Sequence, residues 1–287
     1  MDQETMDRVE GCLGSRPVAW RAAQGGYTPA ARWVVELADG ERAFIKVATN
    51  KDTAMWLRDE CRVYTRLRGD FMAQMLGWDD DGEHPLLAIE DLSGALWTAE
   101  WTPARVDAVL ASLEALHGVA VPEGTPPMEN WQPLLTAWGK VALNPAPFLA
   151  LGMVDRGWLD AALPALLEAE ALVDFSGGAL AHFDVRSDNI CFVEGRAVLV
   201  DWNFACVGNG VLDTAAWLPS LHEEGGPSPA EILPNQPAIA ALLAGFFASR
   251  AGLPIIPAAP RVREVQRRQL SAALPWAISE LGLPPMV

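Results

Sequence analysis

A chain of 287 residues, 51% hydrophobic and 20% charged, is long enough for a large core and for two lobes, and too apolar to be intrinsically disordered. Its net charge of −16 repels nucleic acid and anionic membrane surfaces at long range, so neither is expected as a partner. Cys12, Cys61, Cys191 and Cys206 are scattered and form no C-x-x-C pair, which suggests neither a zinc site nor a disulfide framework.

In chain order, the acidic, polar start MDQETMDRVEG is unlike a signal peptide. Residues 18–22 and 30–37 are strand-like, Asp39-Gly40 makes a hairpin turn, and residues 42–47 return as a third strand. Residues 53–67 are helical, with Met55, Trp56, Val63, Tyr64 and Leu67 recurring at three- and four-residue steps. Residues 72–78 and 86–89 are two further strands, and Glu90-Asp91-Leu92-Ser93-Gly94 breaks the pattern as a hinge. Beyond it the chain turns helical: residues 103–117 place Val106, Val109, Leu110, Leu113 and Leu116 on one face. Further helices are predicted over 131–141, 158–172, 212–221, 238–251 and 261–281. The longest uncharged run, residues 232–249, contains two prolines, an Asn and a Gln, and is predicted to be a buried helix rather than a membrane span. The prediction is an α+β chain with a small β-rich N-lobe (1–91) and a larger, mainly α-helical C-lobe (92–287), in the cytoplasm.

The chemistry concentrates in LAHFDVRSDNICFVEGRAVLVDW, residues 180–202. His182, Asp184 and Asn189 stand at H-x-D-x-x-x-x-N spacing, and Asp201 follows twelve residues after Asn189. This is the layout of a kinase catalytic loop followed by a metal-binding aspartate. Asp184 is suited to accept the proton of an attacking hydroxyl, and Asn189 and Asp201 offer hard oxygen ligands of the kind Mg²⁺ takes. A hairpin turning at Glu194-Gly195 would bring those two ligands to one end of a ribbon. His182 is read as structural. Arg186 either stabilises the charge of the transferred phosphoryl group or is a solvated loop cation. Upstream, Lys46 lies in Phe44-Ile45-Lys46-Val47 on the third strand and Glu60 fourteen residues later on the helix, the order in which a strand lysine is oriented by a helix glutamate. Gly25 and Gly26 precede the second strand, where a turn with few side chains lets backbone N–H groups approach phosphate oxygens. Asp213 either caps the following helix or braces the catalytic loop. Glu223, Glu224, Trp131 and Trp138 are candidate walls for an acceptor.

These pieces together resemble the aminoglycoside phosphotransferase family, small-molecule kinases with a protein-kinase-like two-lobed fold. The matching segments are FIKV around Lys46, Glu60, IEDL at 89–92, LEALHG ending near His117, LAHFDVRSDN, VLVDW and GVLDTA at 210–215. The resemblance covers the chain from about Gly25 to Leu221. Asn203 departs from the pattern, standing where many relatives carry glutamate or glycine. The resemblance implies ATP or GTP in the inter-lobe cleft, with the hinge backbone around Glu90 and Leu92 reading the base, Lys46 on the phosphates and Mg²⁺ on Asn189 and Asp201. Only twelve residues separate Asp201 from Asp213, too few for the peptide platform of a protein kinase, which argues for a small hydroxylated acceptor. An antibiotic, choline, homoserine or a sugar all remain open as acceptors, as does a non-catalytic nucleotide-binding pseudokinase. Oligomeric state is not encoded in any of these motifs.

Overall fold

Alternation of apolar side chains builds the first sheet. The computed structural model describes residues 1–23, 29–97, 100–257 and 259–286. Strands β1 (Pro17–Ala22), β2 (Ala31–Leu37), β3 (Arg42–Val47), β4 (Met75–Asp79) and β5 (Leu86–Glu90) form an antiparallel sheet in the order β1-β2-β3-β5-β4. On β3, Ala43, Ile45 and Val47 turn to one face and join Val35, Leu37, Leu86 and Ala88 in a core cluster. The period of two therefore sends Lys46 to the opposite face.

The core face is closed by α1 (Gln3–Leu13), a helix that the polar N-terminus does not predict. Its local signals are weak: Asp2 accepts from the Thr5 N–H, and Gly14 ends it in the left-handed region at φ 69°. What holds it is tertiary. Val9 is fully buried in the sheet's core, a burial contributing about 1.5–3 kcal/mol. Arg8 bonds Asp79, Asp81 and the His84 carbonyl. Gly77 on β4 permits the close approach, since a Cβ there would meet the Cys12 Cβ at 3.1 Å.

Helix α2 (Lys51–Arg66) starts with a capping box between Asn50 and Thr53, a device worth about 1 kcal/mol. It buries Ala54, Leu57, Cys61, Val63 and Tyr64, and with them the charged Glu60. After the short strand β6 (Leu96–Trp97) and helix α3 (Pro103–His117), the hairpin of β8 (Ile190–Val193) and β9 (Arg196–Leu199) joins β6 in a three-stranded sheet. Glu194 and Gly195 take φ values of 52° and 83°, the two positive angles of a type I′ turn. Met1–Ala99, Asp107–Gly124 and Asp188–Ala205 form one compact unit.

The second unit comprises Glu100–Val106, Thr125–Ser187 and Cys206–Val287. It is helical apart from the antiparallel pair β7 (Ala179–Ala181) and β10 (Cys206–Gly208). The helix predicted over 131–141 is broken into a 3-10 turn at Met128–Trp131, α4 (Gln132–Leu135) and α5 (Trp138–Leu143). The break has a physical cause: the buried Glu170 carboxylate accepts the N–H groups of Ala137 (2.7 Å) and Trp138 (3.2 Å), capturing donors that a continuous helix would use internally. Burial pushes the Glu170 carboxyl above its ordinary value. Glu170 lies on α7 (Arg156–Ala171), which follows α6 (Ala146–Leu149). Helices α8 (Gly210–Glu223), α9 (Pro229–Ile232), α10 (Pro237–Ala251) and α11 (Val262–Leu281) complete the unit. α10 is the buried helix expected in the uncharged run, with Ile239, Ala240, Leu242, Leu243, Phe247 and Ala248 all buried. Among the described residues no helix is long and apolar enough to cross a membrane.

Candidate active site

The predicted residues assemble into two constellations, one in each unit. In the sheet-bearing unit, Lys46 is 7% exposed and Glu60 2%. The Lys46 Nζ donates to Glu60 Oε1 and Oε2 at 2.8 and 2.9 Å and to Asp201 Oδ1 at 2.8 Å. Strand alternation points Lys46 away from the α1 core, and the turn of α2 that carries Glu60 meets it there. Burial alone would lower the Lys46 ammonium, but Asp201 and Glu60 overcome that and hold it above its ordinary value. Glu60 is pushed up by burial, against the pull of Lys46 and helped by the charge of Asp201. One cation thus serves two carboxylates.

The hairpin places Asn189 immediately before β8 and Asp201 two residues after β9. The Val200 N–H donates to the Asn189 carbonyl at 3.0 Å, extending the ladder one step beyond Ile190↔Leu199, so the two residues share one end of the ribbon. Asp201 adopts the left-handed region at φ 72°, ψ 61°, which aspartate visits more readily than most side chains. The Asn189 and Asp201 side chains both offer hard oxygen donors, the kind that a divalent cation takes. Among the described residues no cluster of three or more His, Cys, Asp or Glu side chains forms a self-sufficient cage.

The second constellation is the loop after β7. Three successive N–H groups are captured there. Asp213, fully buried on the first turn of α8, accepts from His182 N at 2.9 Å and Phe183 N at 2.8 Å. His182 Nδ1 accepts from Asp184 N at 3.2 Å. Of the two roles open to Asp213 in the sequence, the structure shows the brace. His182 is structural, as expected: its ring is fully buried beneath the loop. Phe183 sits at φ 62°, a conformation costing on the order of 1–3 kcal/mol for a side chain of this kind. The Asp184 carboxylate keeps 20% of its side-chain surface exposed, with Arg186 Nη1 at 3.5 Å. Asp213→Ala is expected to orphan one buried and one part-buried N–H group, at about 1–3 kcal/mol for the buried one, and to let the loop relax. A thermal melt within a degree of wild type would refute the brace.

The remaining predicted residues divide. Glu90 uses both its N–H (2.8 Å to the Gln74 carbonyl) and its carboxylate (3.2 Å from the Gln74 N–H) to pin the end of β5, so its side chain is structural. The Leu92 carbonyl accepts from the Trp97 indole at 2.8 Å and from Ala95 N–H at 3.0 Å. Gly25 and Gly26 lie outside the described residues. Of the candidate walls, Trp138 is core: it is fully buried, its indole donates to the Ala241 carbonyl at 2.8 Å, and it packs edge-on against Phe148. Glu223 accepts from Arg268 Nε at 2.7 Å and Nη2 at 2.6 Å, and Glu224 accepts from the Trp101 indole. Both stand at the far end of α8, about 15 Å along its axis from Asp213 at 1.5 Å per residue. Trp131 instead lies against Phe183, ring centroids 6.4 Å apart. Local sequence gave no signal for that pair, since nothing marks Phe183 as a positive-φ residue.

Residues 19–246 match the model of the phosphotransferase enzyme family, APH. No curated protein matches the sequence. Among solved structures the chain is similar to a macrolide 2'-phosphotransferase type I, with 17% identity and a TM-score of 0.52 over 98% of this chain and 94% of that one. It is similar to an amicoumacin kinase in complex with AMP-PNP and Ca²⁺ (12%, 0.55, 99% and 87%). It is also similar to a choline kinase from Cryptosporidium parvum Iowa II (11%, 0.58, 93% and 91%). At these identities the likeness is one of fold.

Proposed function

The chain belongs to the phosphotransferase enzyme family, and from that premise we propose that it transfers the γ-phosphoryl group of ATP to a hydroxyl of a small molecule, with Asp184 as the base. The observation that carries this reading is the meeting of Lys46, Glu60 and Asp201 within 2.9 Å. Asp201 lies 155 residues from Lys46 in sequence, and its convergence on that lysine is what a phosphate-binding cation beside a metal-binding carboxylate requires.

Each residue then has a task. Lys46, kept protonated by its two carboxylates, pairs with the nucleotide's phosphates, while Glu60 keeps its ammonium in place. Asn189 and Asp201 would hold Mg²⁺, whose charge would offset that of the phosphates. The Leu92 N–H has no acceptor among the described residues while its carbonyl is occupied, which supports that N–H as the donor reading the base. Asp184 takes the proton as the acceptor oxygen bonds to the γ-phosphorus; the bond from that phosphorus to the β,γ-bridging oxygen breaks and ADP leaves. Arg186, 3.5 Å from Asp184, would offset charge on the group in transit. Catalysis on this account is chiefly positioning and charge neutralisation.

The test is transfer from ATP with Mg²⁺ to a panel of hydroxylated acceptors, read by mass for one added phosphate: aminoglycosides, macrolides, amicoumacin, nucleoside antibiotics, choline, homoserine and sugars. A phosphate adduct on one class establishes the activity and sorts antibiotic from primary-metabolite acceptors. Nucleotide binding with no adduct on any class would favour a non-catalytic binder and remove the proposal.

A further inference from the structure

A tight turn before Asp184 calls for a residue that tolerates positive φ, and glycine would supply it at no steric cost. The chain instead holds Phe183 there at φ 62°. The strain is over-determined by the loop's surroundings: Asp213 and His182 fix the N–H groups of 182, 183 and 184. A bulky side chain kept in a strained position next to a catalytic group points to use of the side chain itself. Phe183 is half-buried rather than sunk in the core, and so is Trp131, whose ring lies against it at a tilt of 42°. Phe183 thus stands one residue from the base with Trp131 against it, both on the same unit as Asp184.

The charges on this unit are mixed: Glu129 is exposed two residues from Trp131, and the Asp184 carboxylate is partly exposed. Arg186 already stands beside Asp184, Glu223 is engaged by Arg268, and Glu224 by Trp101 at the far end of α8. We infer that Phe183 and Trp131 are specificity-determining residues, forming an aromatic wall that selects an acceptor alcohol with an apolar ring face next to its hydroxyl. This rests on the phosphotransferase reading above and narrows its acceptor.

The experiment compares wild type, Phe183→Gly, Trp131→Ala and Trp131→Phe on a macrolide, amicoumacin, choline and a polycationic aminoglycoside, with thermal melts confirming folding. Wild type is expected to prefer the ring-faced acceptors. Phe183→Gly is expected to raise the acceptor KM about tenfold, the scale of one lost aromatic contact, with the ATP KM within about twofold and no fall in Tm, because the strain goes with the ring. Trp131→Ala should raise the acceptor KM similarly and Trp131→Phe restore most of it. An unchanged acceptor KM in Phe183→Gly, a fall in kcat alone, or a preference for the aminoglycoside or choline would overturn the inference while leaving the kinase intact. Absence of transfer by wild type to every acceptor would instead defeat the phosphotransferase reading, and this inference with it.

Discussion

Asp184→Asn is expected to reduce kcat by about 10²–10⁴-fold, the range associated with loss of a positioned general base, while leaving the nucleotide affinity and the melting temperature near wild type. The geometry explains why the effect should be confined to chemistry. The loop is held by main-chain N–H groups bonded to Asp213 and His182, none of which uses the Asp184 carboxylate. Asparagine keeps the shape, and the loop stays seated. What it removes is the acceptor of the hydroxyl proton. Initial-rate kinetics at saturating ATP, with calorimetric nucleotide binding alongside, separate the two quantities. Unchanged turnover would show that the proton leaves by another route, and an equal loss of nucleotide affinity would show that Asp184 serves binding.

Lys46→Met is expected to damage stability as well as activity. Lys46 is the cation for two carboxylates, one of them the almost fully buried Glu60. Removing one partner of a buried pair leaves the other uncompensated, at about 3–5 kcal/mol, or on the order of 10 °C in melting temperature for a chain of this size. Glu60→Gln in the same chain should recover much of that loss without recovering turnover, because the phosphate-binding cation is still missing. The pH dependence follows from the raised Lys46 value. The stability its charge supplies is complete below the unfolded value near 10.5 and is lost as pH rises through the higher folded value. Wild type should therefore lose stability in that alkaline window more steeply than the Lys46→Met, Glu60→Gln double variant. Parallel alkaline melting curves for the two proteins would contradict this account.

Much of the site was legible because its spacings are short. Lys46 and Glu60 lie on adjacent elements whose periods, two for the strand and 3.6 for the helix, set which way each side chain faces. Asn189 and Asp201 lie at the ends of one hairpin whose turn is written in Glu194-Gly195. Helix α3 starts at Pro103 and ends at His117, within the predicted range. Illegible features depend on distant partners. α1 forms on a polar segment because the sheet's far face needs a cover and Arg8 finds Asp79 and Asp81 across the chain. The break between α4 and α5 comes from Glu170, more than thirty residues away. The direct bond from Lys46 to Asp201, like the grouping of residues 188–205 with the first sheet, is a long-range property that no window of sequence displays. Trp138 shows the converse error: named in the sequence as a candidate acceptor wall, it lies in the core, where its indole N–H finds a backbone carbonyl and needs no solvent.

The hairpin divides the molecule's tolerance of change along its own length. At one end, register decides everything: deleting a single residue from β8 or β9 would flip the side chains beyond it to the opposite face and carry Asn189 or Asp201 away from its counterpart. At the other end, Glu194 and Gly195 only close the ribbon, and extra residues inserted between them would lengthen a loop whose entropic penalty grows slowly with size. The same thirteen residues, 189–201, therefore hold one of the chain's least editable registers and one of its most permissive points for grafting an epitope or a fluorophore, a strand's length of about 3.3 Å per residue from the chemistry that it would report.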